Sequence, residues 1–261
     1  MSYSHAVVVG VPNSLKFANK KSTLDTDALR KQSEGLIETL REAGVVVSEY
    51  CPADGSCVTS LLVGDAAMSL KRILPKCCRS IQECPETVDG KAVVLEGGDV
   101  LFTGKEIFVG VRKHGTNFEG AKVPTTVVAK VFCDHAVIPI NMSDKAQSLR
   151  YYVSLVAPGI LAIGTSKEAQ NILKVLEAEA SLRYRIISVD DDDGVNCILV
   201  NNRLIFQQNR AAASVAIIRD SNNHAERPQT ELQVTRKFTA LQSNGLELWT
   251  VDVSDLLKVK L

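Results

Sequence analysis

The sequence predicts an α/β fold, and three observations carry the prediction. Short apolar runs of strand length alternate with longer segments of helical periodicity. Turn signals recur between paired apolar runs, so hairpins are expected. No Pro/Ser-rich linker interrupts the chain, which therefore reads as a single domain over residues 1–261.

Taken in order, Ala6 to Val9 is a continuous apolar run and reads as a buried strand. Val11-Pro12-Asn13-Ser14 turns the chain, and residues 16–21 are polar and loop-like. A helix is expected from Thr23 to Ala43. Asp25 and Asp27 favour its first turn by charge, Leu29, Leu36, Ile37 and Leu40 supply an apolar face, and Gly44 stops it. Val45 to Val47 is the next strand. Leu61-Leu62-Val63 and Ala66-Ala67-Met68 flank Gly64-Asp65 as apolar runs about a turn, whereas Lys71 to Thr87 has no clear pattern.

Val93-Val94-Leu95 and Val100-Leu101-Phe102 flank Glu96-Gly97-Gly98-Asp99, which reads as a second hairpin. Thr103-Gly104-Lys105-Glu106 turns into a strand from Ile107 to Val111. Asn117 to Ala129 reads as a helix that Pro124 must break or open. Ala136 to Ile140 is a strand, Ser143 to Leu155 a helix ended by Pro158-Gly159, and Ile160 to Ile163 a strand. Thr165-Ser166-Lys167-Glu168 has the form of a capping box and opens a helix to Leu182, with Ala169, Ile172, Leu173, Leu176 and Ala180 as its buried stripe. Arg185 to Val189 is a strand, Asn201-Asn202 turns a hairpin between Cys197–Val200 and Arg203–Phe206, Gln229 to Leu241 is a helix, and Leu246 to Val251 a late strand.

Composition bounds the function. The 261 residues are 45% hydrophobic and 23% charged, ordinary for a globular protein. Thirty basic and thirty acidic residues cancel, and no basic block exists, which argues against a phosphate-tracking nucleic-acid surface. No apolar run approaches the length of a membrane span, and the N-terminus lacks the marks of a signal peptide. The seven cysteines are odd in number and irregular in spacing, so free thiols in a reducing, cytoplasmic setting are expected rather than a disulfide framework. Cys77, Cys78 and Cys84 lack the paired spacing of a zinc site, so no metal is expected. No Walker loop or dinucleotide fingerprint is present, and no cofactor is expected.

Few residues carry candidate chemistry. Asp190 to Asp193 lacks the ligand order of a calcium loop and reads as a solvated turn. Glu96 and Asp99 flank a glycine pair. A carboxylate there can orient a histidine or hold a guanidinium in bidentate fashion, or the pair can be solvated acids on a glycine-rich hairpin. Asp65 faces a cleft or caps a turn. None of the four histidines sits in a nucleophile motif: His5 precedes a strand, and His114 lies in a polar loop.

The segment Leu95-Glu-Gly-Gly-Asp-Val-Leu-Phe-Thr-Gly-Lys-Glu-Ile-Phe-Val-Gly110 resembles the signature of the dimethylargininase family, within the guanidino-group-modifying or amidinotransferase superfamily. Further likeness lies in Ser4-His-Ala-Val-Val8 with Pro12-Asn-Ser-Leu15, in Leu62-Val-Gly-Asp65, in Gly159-Ile-Leu-Ala-Ile-Gly164 and in Asn196-Cys-Ile-Leu199, so that the resemblance spans nearly the whole chain. It implies a five-bladed α/β propeller of ββαβ-type repeats, and a reaction in which dimethylarginine is hydrolysed to citrulline and dimethylamine. In that reaction a cysteine thiolate attacks the guanidinium carbon, a histidine handles protons and acids hold the guanidinium.

Carried over position by position, Glu96 matches a retained family acid and Asp65 a substrate-site carboxylate. Thr59 stands where an earlier substrate-binding aspartate is expected, and Gly64 replaces the acid before Asp65. Ser148 in Gln147-Ser-Leu-Arg150 stands at the family's histidine. Ser254-Asp-Leu-Leu-Lys-Val-Lys260 resembles the stretch that precedes the nucleophile, which would then lie beyond Leu261, and Lys260 reverses the charge of a family acid. The family's arginine after Val111 falls near His114 or Glu119. The expectation is a member without hydrolase activity that acts by binding, as a scaffold or assembly subunit. The alternatives are an active or altered hydrolase and a non-catalytic sensor of arginine-like small molecules.

Overall fold

The computed structural model describes residues 3–16, 24–57, 61, 84–123, 135–207, 238, 241 and 245–253. The chain falls into two compact units, Met1–Ile81 with Val200–Asn209 and Trp249–Leu261, and Gln82–Leu199 with Arg210–Leu248.

In the first unit, β1 (His5–Val9) and β3 (Val46–Tyr50) pair in parallel, in register from His5↔Val46 to Val9↔Tyr50. Between them β2 (Leu15–Lys16) leaves the sheet to pair in parallel with β4 (Ser56–Cys57), and α1 (Thr26–Glu42) makes the crossover. The helix starts later than the sequence suggests because Asp25 is its N-cap: the Asp25 carboxylate accepts from the backbone of Asp27 and Ala28. Gly44 ends it at φ +82°, as expected of a left-handed stop. Leu40, Ala43, Val45, Val200 and Ile205 form the buried core, with Ala6, Val8, Val47, Trp249 and Val251 packed on it. The first strand is half-buried rather than buried, since Ala6 and Val8 join that core in the alternation a pleated strand imposes. Asn201 (φ 45°) and Asn202 (φ 68°) make the predicted tight turn, the backbone of a type I′ hairpin. The Asn201 amide also donates to the carbonyls of Tyr3 and Ala43, at 2.8 and 3.0 Å, so it caps the end of α1.

In the second unit a short hairpin, β5 (Thr87–Val88) with β6 (Lys91–Ala92), leads to β7 (Val100–Phe102) and β8 (Glu106–Val111). These two are antiparallel and turn at Gly104, φ +87°. The chain passes through helical residues 118–123 and returns as β9 (Ala136–Asn141), parallel to β8. The order then repeats. After the single turn α2 (Leu149–Tyr152), β10 (Val153–Ala157) and β11 (Ile160–Gly164) form a hairpin at Gly159, φ +75°. α3 (Lys167–Glu179) crosses over to β12 (Arg185–Val189), parallel to β11. Two hairpins, each followed by a helix and a parallel strand, are the ββαβ repeat. Phe108, Ile140, Leu149, Val153, Leu161, Ile163, Ile172 and Leu176 fill the core between them.

Three sequence expectations are corrected here. Glu96-Gly97-Gly98-Asp99 is not a hairpin: Gly97–Asp99 is a 3-10 turn that feeds β7, and the hairpin turns at Gly104 instead. Residues 143–155 are not one helix. Only Leu149–Tyr152 is helical, and Val153–Ala157 is a strand: the β-branched Val153 and Val156 are fully buried, Val153 opposite Ile163 of β11 and Val156 at the register shift between the paired Leu155 and Ala157. Thr165 does not cap α3: Ser166 does, its hydroxyl accepting from Ala169 N at 3.2 Å, and Glu168 accepts from Ser143 N at 2.9 Å rather than closing a capping box. The turn expected at Gly64-Asp65, the patternless Lys71 stretch, residues 124–129 of the helix after Asn117 and most of the 229–241 helix lie outside the described residues, though Phe238 and Leu241 are helical and buried.

Cys51, Cys57 and Cys84 are exposed free thiols and Cys197 is buried, its thiol pushed up to about 12 by burial. No helix among the described residues is long and apolar enough to cross a membrane, and no group of three metal-binding side chains occurs among them.

A buried carboxylate ties the segment between α3 and β12 to β8. The Glu106 carboxylate accepts from Ser181 N and from the Tyr184 hydroxyl, both at 2.7 Å, and Thr103 Oγ1 lies 2.9 Å from the same hydroxyl. Burial, with Glu106 adjacent, raises the Tyr184 pKa to about 12. A raised folded pKa means that the neutral phenol's contribution is complete below the ordinary value of 10.0 and is lost as pH rises through about 12. Replacing Tyr184 by phenylalanine leaves a Glu106 oxygen short of a donor and costs about 1–3 kcal/mol. Denaturant titrations at neutral and alkaline pH should show that cost at neutrality, and a smaller gap between the two proteins at the alkaline end.

Candidate guanidinium site

The site is assembled by backbone before any charge is placed. Asn117 accepts from Val94 N at 3.1 Å and donates to Ala92 O at 2.7 Å, while its own N–H donates to Val94 O at 3.1 Å. The Thr116 hydroxyl accepts from Glu96 N at 2.9 Å. Gly120 makes the approach feasible, since a Cβ there would lie 1.8 Å from the Val94 carbonyl oxygen. Residues 92–96 are thereby clamped along the loop that follows β8.

The turn of Gly97–Asp99 then drops Asp99 into the interior, where it is fully buried. Its carboxylate accepts four hydrogen bonds. Arg112 Nε donates at 3.0 Å to Oδ1 and 3.1 Å to Oδ2, Thr116 N at 3.1 Å to Oδ2, and Leu149 N at 3.1 Å to Oδ1. Arg112 stands one residue after β8, with its side chain 12% exposed. Its Nη1 donates to His114 O at 2.8 Å, and its Nη2 makes a short ion pair with the Glu96 carboxylate. One guanidinium thus bridges a buried and a half-exposed carboxylate, in the planar fork geometry that Arg alone provides. Gly115 lies flat on this group: a Cβ there would come within 2.4 Å of Arg112 Cζ.

The sequence-predicted residues divide as follows. Glu96 is in the cluster as an ion-pair partner, its side chain 47% exposed. Ser148 is next to it: a Cβ on Gly98 would lie 3.1 Å from Ser148 Cβ and 3.2 Å from its Oγ. His114 contributes its carbonyl, and its residue is exposed, as the polar-loop reading has it. Glu119 instead pairs with Lys91 at 3.3 Å, and its backbone hydrogen bond, then Lys91, lower its pKa. Asp65 and Thr59 lie outside the described residues, as do Gly64, Lys260 and Leu261.

Sequence reasoning passed over Arg112 and the weight borne by Asp99. The hairpin register would have found both. Val100 pairs with Val109, so Asp99 comes opposite Gly110, and Arg112 lies two residues further on the same face. The site's acids and its cation are therefore cross-strand neighbours, and Gly110 leaves the room for Asp99, Met142 and Leu149 to meet.

No family model matches the chain. Human DDAH2 is 26% identical over 218 residues, 76% of this chain and 74% of that protein, and bovine DDAH2 matches to the same extent. Among solved structures, DDAH from Pseudomonas aeruginosa, a Cys-to-Ser mutant complexed with citrulline, superposes with a TM-score of 0.66 at 16% identity, covering 99% of this chain and 96% of that one. A dimethylarginine dimethylaminohydrolase, a His-to-Gly mutant in an adduct with S-methyl-L-thiocitrulline, gives 0.63 at 17%, covering 98% and 95%. The N-terminal domain of the cyanobacterial arginine dihydrolase ArgZ gives 0.61 at 13%, covering 98% and 93%. The shared fold accounts for the repeated ββαβ unit. The chain is thus similar in sequence to DDAH2 and has the α/β propeller fold of the dimethylargininases and their structural relatives.

Proposed function

We propose that this chain is a non-hydrolysing member of the family that acts through binding, as a scaffold or a subunit of a larger assembly. The observation that carries the reading is the Arg112 guanidinium across Glu96 and Asp99. The acid retained from the family signature is committed to a cation of the protein's own, and a substrate guanidinium would have to compete with it. Ser148, at the position the resemblance gives to the histidine, supports the same reading, because a hydroxyl has no basic form near neutral pH. The exposed thiols of Cys51, Cys57 and Cys84 favour a reducing, cytoplasmic setting.

The test is direct. The purified chain is incubated with asymmetric dimethylarginine and citrulline is measured. The expected rate is at least about 10⁴-fold below that of a hydrolytic family member, the scale of loss when members of a catalytic unit are removed. Turnover at ordinary family rates would overturn the reading in favour of an active hydrolase, which the names of the structural relatives and the retained Glu96 support. In that event a thiol-reactive guanidine-like inhibitor would also leave a covalent adduct. Calorimetric binding of arginine without turnover would favour a sensor instead.

A further inference from the structure

We infer that Arg112 acts as an internal ligand, closing a monoalkylguanidinium site that Glu96 and Asp99 would otherwise present to free guanidino compounds. The inference rests on the non-hydrolysing reading only in locating the site; it concerns what holds the site shut. Two independent observations carry it. The first is the bonding of the guanidinium itself. Nε faces both oxygens of the fully buried Asp99, Nη1 a backbone carbonyl and Nη2 Glu96, so each nitrogen has an acceptor, as it would in a site built for an N-alkylguanidinium. The second is Gly115, whose Cα lies so close over the guanidinium that an added Cβ would meet Cζ at 2.4 Å, Nε at 2.5 Å and Nη2 at 2.6 Å. Carboxylates hold the group in its plane, and a bare backbone covers its face.

The arrangement also explains how the chain tolerates a fully buried carboxylate. A ligand-dependent site could leave Asp99 uncompensated whenever the ligand departed, at a large cost. Arg112, tethered one residue beyond the paired strand β8, is present at an effective concentration no free metabolite matches. The three segments that meet at Asp99 are therefore tied together at all times: the 96–99 turn, the 112–116 loop and the start of α2 at Leu149.

Two substitutions open the site in different ways. Arg112→Ala removes the internal cation and leaves its space. Gly115→Ala keeps the cation but displaces it, because the clash falls on the movable end of a side chain. Each variant is compared with the native chain by thermal unfolding with about 10 mM methylguanidinium, with methylammonium as a control of equal charge. The expected result for Arg112→Ala is a midpoint lowered by about 10 °C and partly recovered by methylguanidinium, not by methylammonium. The native chain should show no rise with either ion. Adding Asp99→Asn to Arg112→Ala should abolish the recovery. Should Arg112→Ala not fold, the same recovery is required of Gly115→Ala. A rise in the native chain would show that the site is already open. A well-folded open variant that ignores methylguanidinium would show that no such site exists. Neither outcome bears on citrulline formation, so this inference and the non-hydrolysing reading fail separately.

Discussion

Replacing Asp99 by alanine should lower the unfolding free energy by about 3–5 kcal/mol, the cost of stripping one partner from a buried ion pair. Three donors lose their acceptor at once. Arg112, 12% exposed, is left with Glu96 alone for its charge, and the backbone N–H groups of Thr116 and Leu149 are left unpaired at residues that are themselves fully buried. Asparagine does not restore the site, since its amide group would turn a donor toward one of those donors. A chemical-denaturation series reads the loss directly. A change below about 1 kcal/mol would mean that Asp99 does not organise the loops around it.

The next largest effect is expected from Gly120→Ala, a change that adds a single methyl group. A Cβ placed there lies 1.8 Å from Val94 O and 2.7 Å from its carbonyl carbon, and these are backbone atoms with no rotamer to yield. Residue 120 is helical, so alanine gains about 1 kcal/mol in propensity over glycine. Overpacking and the strained Val94–Asn117 bonds outweigh that gain, for a net loss of about 2–3 kcal/mol. The carbonyl must retreat, and Glu96, two residues along, moves with it. Amide hydrogen exchange should therefore rise at Val94, Glu96 and Asn117. Unchanged exchange and stability would show that the 92–96 segment is not clamped as described.

Much of this architecture is legible in the chain. Turn chemistry was the most reliable signal: Gly44, Gly104, Gly159 and Asn201-Asn202 all have positive φ where the sequence predicts a stop or a turn. The glycine pair at 97–98 misled, because adjacent glycines mark a close backbone approach as readily as a hairpin, and here Gly98 admits Ser148. Residues 143–155 misled for a different reason. Their spacing suits a helix, yet Val153, Ser154 and Leu155 are claimed by the ladder with Ile160–Gly164, a tertiary preference that no local window contains. Within the site, the resemblance pointed to Glu96 and Ser148. What it did not convey was a partnership across strands: Asp99 and Arg112 are thirteen residues apart, and only the hairpin register brings them together.

The pairing of Arg203 with Trp249, 4.7 Å from guanidinium carbon to ring centre, has a spectroscopic consequence. Trp249 is the chain's single tryptophan, and both residues belong to the first unit, whereas Tyr151, Tyr152 and Tyr184 belong to the second. Indole emission therefore reports the loosening of the first unit alone, whereas phenol absorbance combines the three tyrosines of the second unit with Tyr3 and Tyr50 of the first. Melting curves recorded at the two signals would coincide if the units unfold together and separate if they do not, with no label attached to the chain.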